Sequence, residues 1–169
     1  MNKTDFAKLP YRPCVGIVLV NAANLVWIGR RIVQPDDEEA KGVGMWWQMP
    51  QGGIDEGENI QAAALRELTE ETGVTSAELI DEIPAWHFYD LPDHLIGVSW
   101  KGRYRGQKQK WVVFRFTGED AEIDISGVGH KPEFDDWRWA SMNEVVELIV
   151  PFKRPVYERL AKEFAALSI

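Results

Sequence analysis

An α+β sandwich, a mixed sheet covered by helices, is the fold class this sequence predicts. Three observations carry it. Residues 14–20 (CVGIVLV) and 110–117 (KWVVFRFT) are short, apolar and β-branched, the pattern of buried strands. One helical stretch stands mid-chain, over about residues 60–72. A second, amphipathic one closes the chain over about residues 155–167, with Val156, Leu160, Phe164 and Leu167 on one stripe.

The chain has 169 residues, the length of one domain, residues 1–169. Hydrophobic residues make 45%, with 8 Trp and 7 Phe, enough to build a core. A lone cysteine, Cys14, excludes an internal disulfide and suits a reducing compartment. It lies inside an apolar run and reads as a small core residue. The first residues lack the apolar core of a signal peptide, and no apolar run reaches the ~18 residues of a membrane span. A cytoplasmic protein with no membrane contact is the expectation. The formal net charge of −8 argues against a broad non-specific grip on nucleic acid, which needs many Lys and Arg against phosphates. A local basic pocket or a metal-mediated phosphate contact stays open.

In chain order, Pro10 and Pro13 bracket a lead-in to the first strand. Residues 21–24 turn it into a hairpin partner over residues 25–28, which ends on Arg30 and Arg31. Residues 34–44 are polar and charged and read as a loop, whose acids 36–39 are solvated. Residues 44–50 regain apolar character and form a short strand that delivers Gln51, Gly52 and Gly53 into a turn. Asn59 is placed to cap the next helix, and Gly73 to end it. Residues 77–89 read as one extended strand. Residues 90–106 hold a loop with a basic patch, Lys101, Arg103 and Arg105, and residues 118–131 form an acidic loop. Residues 133–140 make a strand with Trp137 and Trp139 on one face. Ser141 and Glu144 form a capping box for a short helix before the last one.

The chemistry concentrates in residues 52–74, GGIDEGENIQAAALRELTEETGV. Glycines admit tight turns and close backbone approach. At about 100° per residue, Glu67, Glu70 and Glu71 share one sector of the helix. Ala62, Leu65, Leu68, Thr69 and Thr72 fall opposite and are expected to pack, and Ala63 leaves room beside the acids. Like charges at this spacing repel weakly, and a divalent cation reverses the sign. Carboxylate oxygens suit Mg²⁺ or Mn²⁺, which also take phosphate oxygens. On the helix alone, a solvated acidic face with an ordinary Arg66–Glu70 pair is an equal alternative. Glu58 and the glycines ahead of the helix weigh against it.

This stretch resembles the Nudix box: Gly, five residues, Glu, seven residues, then Arg-Glu-aliphatic-any-Glu-Glu-any-Gly-aliphatic. Gly52, Glu58, Arg66, Glu67, Leu68, Glu70, Glu71, Gly73 and Val74 fill every fixed position. The resemblance implies the Nudix fold, a mixed β-sheet between helices in an α/β/α sandwich. It also implies divalent-metal hydrolysis of phosphoanhydride bonds, with Mg²⁺ first and Mn²⁺ or Zn²⁺ as alternatives. Glu67 and Glu71 then hold metal, and Glu70 is a ligand or the residue that activates water. Arg66 orients a box acid, and Gly52, Gly53, Glu58 and Gly73 shape the site.

Outside the box, YRPCVGIVLVN, WWQMPQGGIDEGE, GQKQKW, PEFDDWRW and PFKRPVY are similar to one Nudix subgroup. That subgroup contains bacterial RNA pyrophosphohydrolases and plant-type asymmetrical diadenosine tetraphosphate hydrolases. The first implies removal of pyrophosphate from 5′-triphosphorylated RNA, leaving a 5′-monophosphate and initiating mRNA decay. The second implies dinucleoside polyphosphate as substrate. Neither implies an obligate protein partner. By the same resemblance Glu133 reaches the metal site, and Arg31 and Phe152 sandwich a base. Gln107, Lys108, Lys110 and Lys153 hold the phosphate chain, and Tyr89 contacts a phosphate. Bland alternatives are a loop acid, a surface Arg, a core Phe and a packed strand Tyr.

Overall fold

The computed structural model describes residues 3–32, 46–127 and 129–169 of the chain. The acidic loop at 36–39 and the rest of the 34–44 stretch lie outside the described residues. A short helix α1 (Lys3–Phe6) leads into β1 (Tyr11–Val20). Then follow β2 (Val26–Arg31), β3 (Trp47–Gln48), β4 (Gln51–Gly53) and helix α2 (Ile60–Thr72). The second half adds β5 (Ala77–Glu82), β6 (His87–Asp90), β7 (Gly106–Phe116) and β8 (Phe134–Ala140). Helices α3 (Met142–Leu148) and α4 (Arg154–Ala165) complete it.

The sheet is mixed, and its spine is the parallel pair β1–β7, in register from Tyr11↔Gly106 to Val20↔Arg115. Residues 14–20 of β1 are all buried, which is why the run is continuously apolar rather than alternating. Its two faces feed two cores. Val15, Ile17 and Leu19 pack with Ala63, Ala64 and Leu68 of α2. Val18 and Val20 pack with Val145, Val156 and Leu160 of α3 and α4. Helices therefore cover both sides, the sandwich expected from the sequence. Gly16 is glycine because the Trp111 ring lies where its Cβ would be. No helix among the described residues is long and apolar enough to cross a membrane.

Local signals account for the element ends. The Asn59 side chain accepts from the Ala62 N–H at 2.7 Å, and Gly73 closes α2 at φ 73°. The Ser141 hydroxyl accepts from the Glu144 N–H at 3.3 Å, as the capping box requires.

Five expectations are corrected. The first strand begins at Tyr11 and runs through Pro13, because pairing with β7 extends it. Gln51, Gly52 and Gly53 form strand β4 against β1 (Cys14↔Gly53) rather than a turn. Residues 77–89 split into β5 and β6, both paired to β7. β7 starts at Gly106, before Lys110. On α2 the buried residues are Ala63, Ala64, Leu68, Glu71 and Thr72, while Leu65 is 39% exposed and Ala62 is exposed. The helix turns its acid-bearing side partly inward, toward β4, so Ala63 packs rather than leaving space. Burial of Glu71 beside β4 outweighs the polarity of its face.

Candidate active site

Where β4 meets α2, a cavity of about 290 Å³ opens. Glu67, Glu71 and Glu133 line it, together with Arg12, Arg31 and Lys153. Gln48, Gln51, Gly52, Gly53, Trp100 and Gln107 complete the wall. Three acids and three cations therefore share one polar space.

Glycine at position 52 is dictated by contact. A Cβ there would overlap the Glu67 carboxyl, so the carboxyl lies directly against the β4 backbone. Gly52→Ala is expected to displace Glu67 and lower kcat/KM about 100-fold with the fold retained. Steady-state kinetics beside a melting curve checks this, and a fully active Gly52→Ala protein contradicts the placement of Glu67.

Arg66 ties the loop to the helix. Its Nε donates to Glu58 Oε2 at 2.8 Å, and its Nη2 to Glu58 Oε1 and to the Gly53 carbonyl at 2.9 Å. Its Nη1 donates to Glu67 Oε1 at 2.8 Å and lies 3.4 Å from Glu70 Oε2. These bonds pull the Glu58 carboxyl down to about 2, with Arg66 the main cause and the Asp55 N–H the next.

The inner acids move the other way. Burial raises Glu67, more than Arg66 lowers it. Burial raises Glu71 well above the usual carboxylate range, and the charges of Glu67, Glu133 and Glu70 add to this. The Gln51 N–H donates to Glu71 Oε2 at 3.2 Å. A buried carboxylate crowded by others has one simple remedy, a cation. Among the described residues, no three acids already stand as a closed ligand cluster. The donor set nevertheless fits a hard divalent ion, with carboxylate oxygens at Glu67, Glu71 and Glu133 facing one cavity.

The remaining candidates separate. Glu70 does not line the cavity but faces outward between Arg66 and His130, whose Nε2 is 3.8 Å away. Arg31 lines it, aimed by a register shift between Arg30 and Arg31 in the β2–β8 pair. Its guanidinium lies 5.4 Å from the Trp46 ring centroid. Glu133 is held beside it, where the Ile32 N–H donates to the Glu133 carbonyl at 3.0 Å. Phe152 does not reach the cavity and packs against the α3–α4 core, 5.8 Å from Tyr89. Lys153 is buried in the wall, its Nζ 5.6 Å from both the Tyr89 and Phe152 rings.

The 107–110 run divides by strand alternation. Gln107 faces the cavity with Gln109, which donates to Gln107 at 2.8 Å and Gln51 at 3.1 Å. Lys108 and Lys110 point to the other face, over Trp86 at 5.0 and 5.5 Å. The two lysines are thus not brought to this cavity.

Arg12, Trp100 and Gln48 carry no expectation from the sequence, and Gln51 is expected there only in a turn. Arg12 bridges the site, with its Cζ 5.8 Å from the Trp100 ring centroid and its Nη1 3.3 Å from Cys14 Sγ. Burial pushes the Cys14 thiol up to about 11, so it stays protonated and is no nucleophile.

A family profile described as NUDIX domain matches residues 10–160. A protein of Mesorhizobium japonicum named RNA pyrophosphohydrolase is 55% identical over 168 residues, covering 98% of this chain and 96% of that one. One of Rhodopseudomonas palustris with the same name is 56% identical over 167 residues, covering 98% and 94%. Among solved structures, the E. coli dihydroneopterin triphosphate pyrophosphohydrolase superposes with a TM-score of 0.64 at 20% identity, covering 91% of this chain and 99% of that one.

Proposed function

The chain belongs to the NUDIX family, whose hydrolases use divalent metal ions, and from that premise we propose that it removes pyrophosphate from 5′-triphosphorylated RNA. The observation that carries this reading is the single cavity that gathers Glu67, Glu71 and Glu133 with Arg12, Arg31 and Lys153. Relatives about 55% identical over nearly their whole length, named for this activity, support it. The whole of residues 1–169 acts as one catalytic unit, and its single buried thiol suits the cytoplasm.

In this reading Glu67, Glu71 and Glu133 would hold Mg²⁺, and Glu70, which faces outward beside Arg66, would have to turn toward the cavity to serve as a further ligand or as the base that takes the water proton. The ion supplies Lewis-acid stabilisation of the phosphate oxygens and a more acidic water. Water adds to phosphorus, an anhydride P–O bond breaks, pyrophosphate leaves, and RNA retains a 5′-monophosphate. Arg12 and Lys153 neutralise phosphate charge, and Gln107 orients the chain by hydrogen bonding. Arg31 offers its guanidinium plane to the first bases.

A second reading keeps the chemistry and takes dinucleoside polyphosphates as the main substrate. The net charge of −8 favours it, since a long RNA backbone gains little from such a surface. Side-by-side kcat/KM with Mg²⁺ on triphosphate-ended RNA and on diadenosine tetraphosphate decides. Release of pyrophosphate from RNA is the expected result. Cleavage of the dinucleotide alone, with triphosphate-ended RNA intact, overturns the first reading in favour of the second.

A further inference from the structure

Beside the catalytic cavity lies a second cleft of about 290 Å³, lined by Arg12, Trp100, Lys101, Arg103 and Tyr104. Arg12 and Trp100 belong to both walls, so the two spaces adjoin. The lining holds three cations, two aromatic rings and no acid, in a chain whose net charge is −8. The indole and phenol rings meet edge to face, centroids 6.1 Å apart at 77°, and form a corner. A bare phosphate needs only the cations. The rings add the means to stack a base.

The backbone here is held in a costly shape. Trp100 (φ 50°) and Lys101 (φ 58°) are consecutive non-glycine residues in the left-handed region, between Gly97 (φ 79°) and Gly102 (φ 72°). A Cβ on Gly102 would stand 3.1 Å from the Gly97 carbonyl, so the segment closes tightly on itself. Such conformations persist where the surroundings fix them, and they concentrate at ligand sites. Here the result is an indole set between the two cavities.

We infer that this second cleft holds the distal nucleoside of a dinucleoside polyphosphate, the one carried at the far end of the phosphate chain. The inference rests on the phosphoanhydride hydrolysis proposed above. Arg31 and Glu133 occupy the β2–β8 end of the catalytic cavity, while Arg12 and Gln107 occupy the β1–β7 end. A nucleoside at Arg31 sends its phosphates past Glu67 and Glu71 toward Arg12. A triphosphate ends there. A tetraphosphate bearing a second nucleoside passes Trp100, and the base reaches Tyr104 with Lys101 and Arg103 against its phosphates.

The test uses the full chain and two variants, Tyr104→Ala and Arg103→Ala, with Tyr104→Phe as the conservative control. The readouts are kcat/KM on diadenosine tetraphosphate and on triphosphate-ended RNA, and calorimetric binding of a methylene-bridged diadenosine tetraphosphate. For Tyr104→Ala the ratio of dinucleotide to RNA activity is expected to fall about tenfold, through KM, with weaker analogue binding and restoration in Tyr104→Phe. Equal losses on both substrates, or an unchanged ratio, overturn the proposal. A wild type that binds the analogue through Tyr104 but leaves triphosphate-ended RNA intact sinks only the RNA reading. A wild type that cleaves RNA but does not bind the analogue sinks only the cleft.

Discussion

Glu71→Gln is expected to abolish turnover while making the metal-free protein more stable at neutral pH. The substitution keeps the shape of the side chain and an oxygen for the Gln51 N–H, so packing is preserved. It removes a carboxylate from the proposed cation site, and kcat should fall by about 100- to 1000-fold. The stability effect follows from burial and crowding, which hold the Glu71 carboxyl well above its ordinary range. Between the ordinary carboxylate value of about 4.3 and the raised one, the native protein binds more protons than the unfolded chain. Stability without metal is therefore fullest below that ordinary value and declines as pH rises through the raised one. Glu71→Gln removes this decline in large part, and the raised Glu67 leaves a residue of it. Adding Mg²⁺ should stabilise wild type more than the variant, by mass action on the native state. Melting curves with chelator and with Mg²⁺ at pH 5 and pH 8 measure each element. Near-normal kcat in the variant refutes the role of Glu71, and a wild-type melting temperature that rises from pH 5 to pH 8 without metal refutes the crowding.

The same residue explains what the sequence made legible and what it hid. The box could be found because its chemistry is local: Gly52, Glu58, Arg66, Glu67 and Glu71 lie on one short strand, the loop after it and the next helix, at fixed spacing. The packing face expected of that helix is right at Leu68 and Thr72 and wrong at Ala62 and Leu65, because a helical wheel weighs polarity alone. Glu71 accepts from the Gln51 N–H of β4 and is buried alongside Leu68, so it faces inward while Leu65 faces outward. The orientation of the 107–110 run needed the point at which β7 begins. Trp111 is buried in the α3–α4 core, and counting back by two from it puts Gln109 and Gln107 on the cavity side and both lysines away. That signal was present in the alternation. Arg12 had none, because only the long-range parallel pairing of β1 with β7 sets it beside Gln107. Trp100 was hinted at only by the flanking Gly97 and Gly102, and its left-handed backbone has no sequence signature.

Arg66→Ala is expected to disconnect the glycine loop from the helix and to damage both stability and catalysis. The guanidinium is a fork with three destinations: Glu58 on the loop, Glu67 on the helix and the Gly53 carbonyl on β4. Without it Gly53 loses its donor, Glu58 loses its counter-ion, and Glu67 faces Glu70 with no cation between. A melting temperature lower by about 5 °C or more at neutral pH is the expected scale for losing several charge-assisted hydrogen bonds in a chain of this size. Activity should fall more than tenfold, because Glu67 loses the bond that fixes its rotamer against Gly52. Arg66→Lys should recover little, since one ammonium cannot span three acceptors arranged for a planar fork. The pH dependence identifies the cause. Arg66 holds the Glu58 carboxyl near 2, so this part of the stability is present above the ordinary carboxylate range and is lost as pH falls toward 2. The gap in stability between wild type and Arg66→Ala should accordingly narrow between pH 5 and pH 2.5. A gap that stays constant over that range assigns the loss to packing of the arginine stem, and an Arg66→Ala protein with full activity removes the fork from the catalytic account.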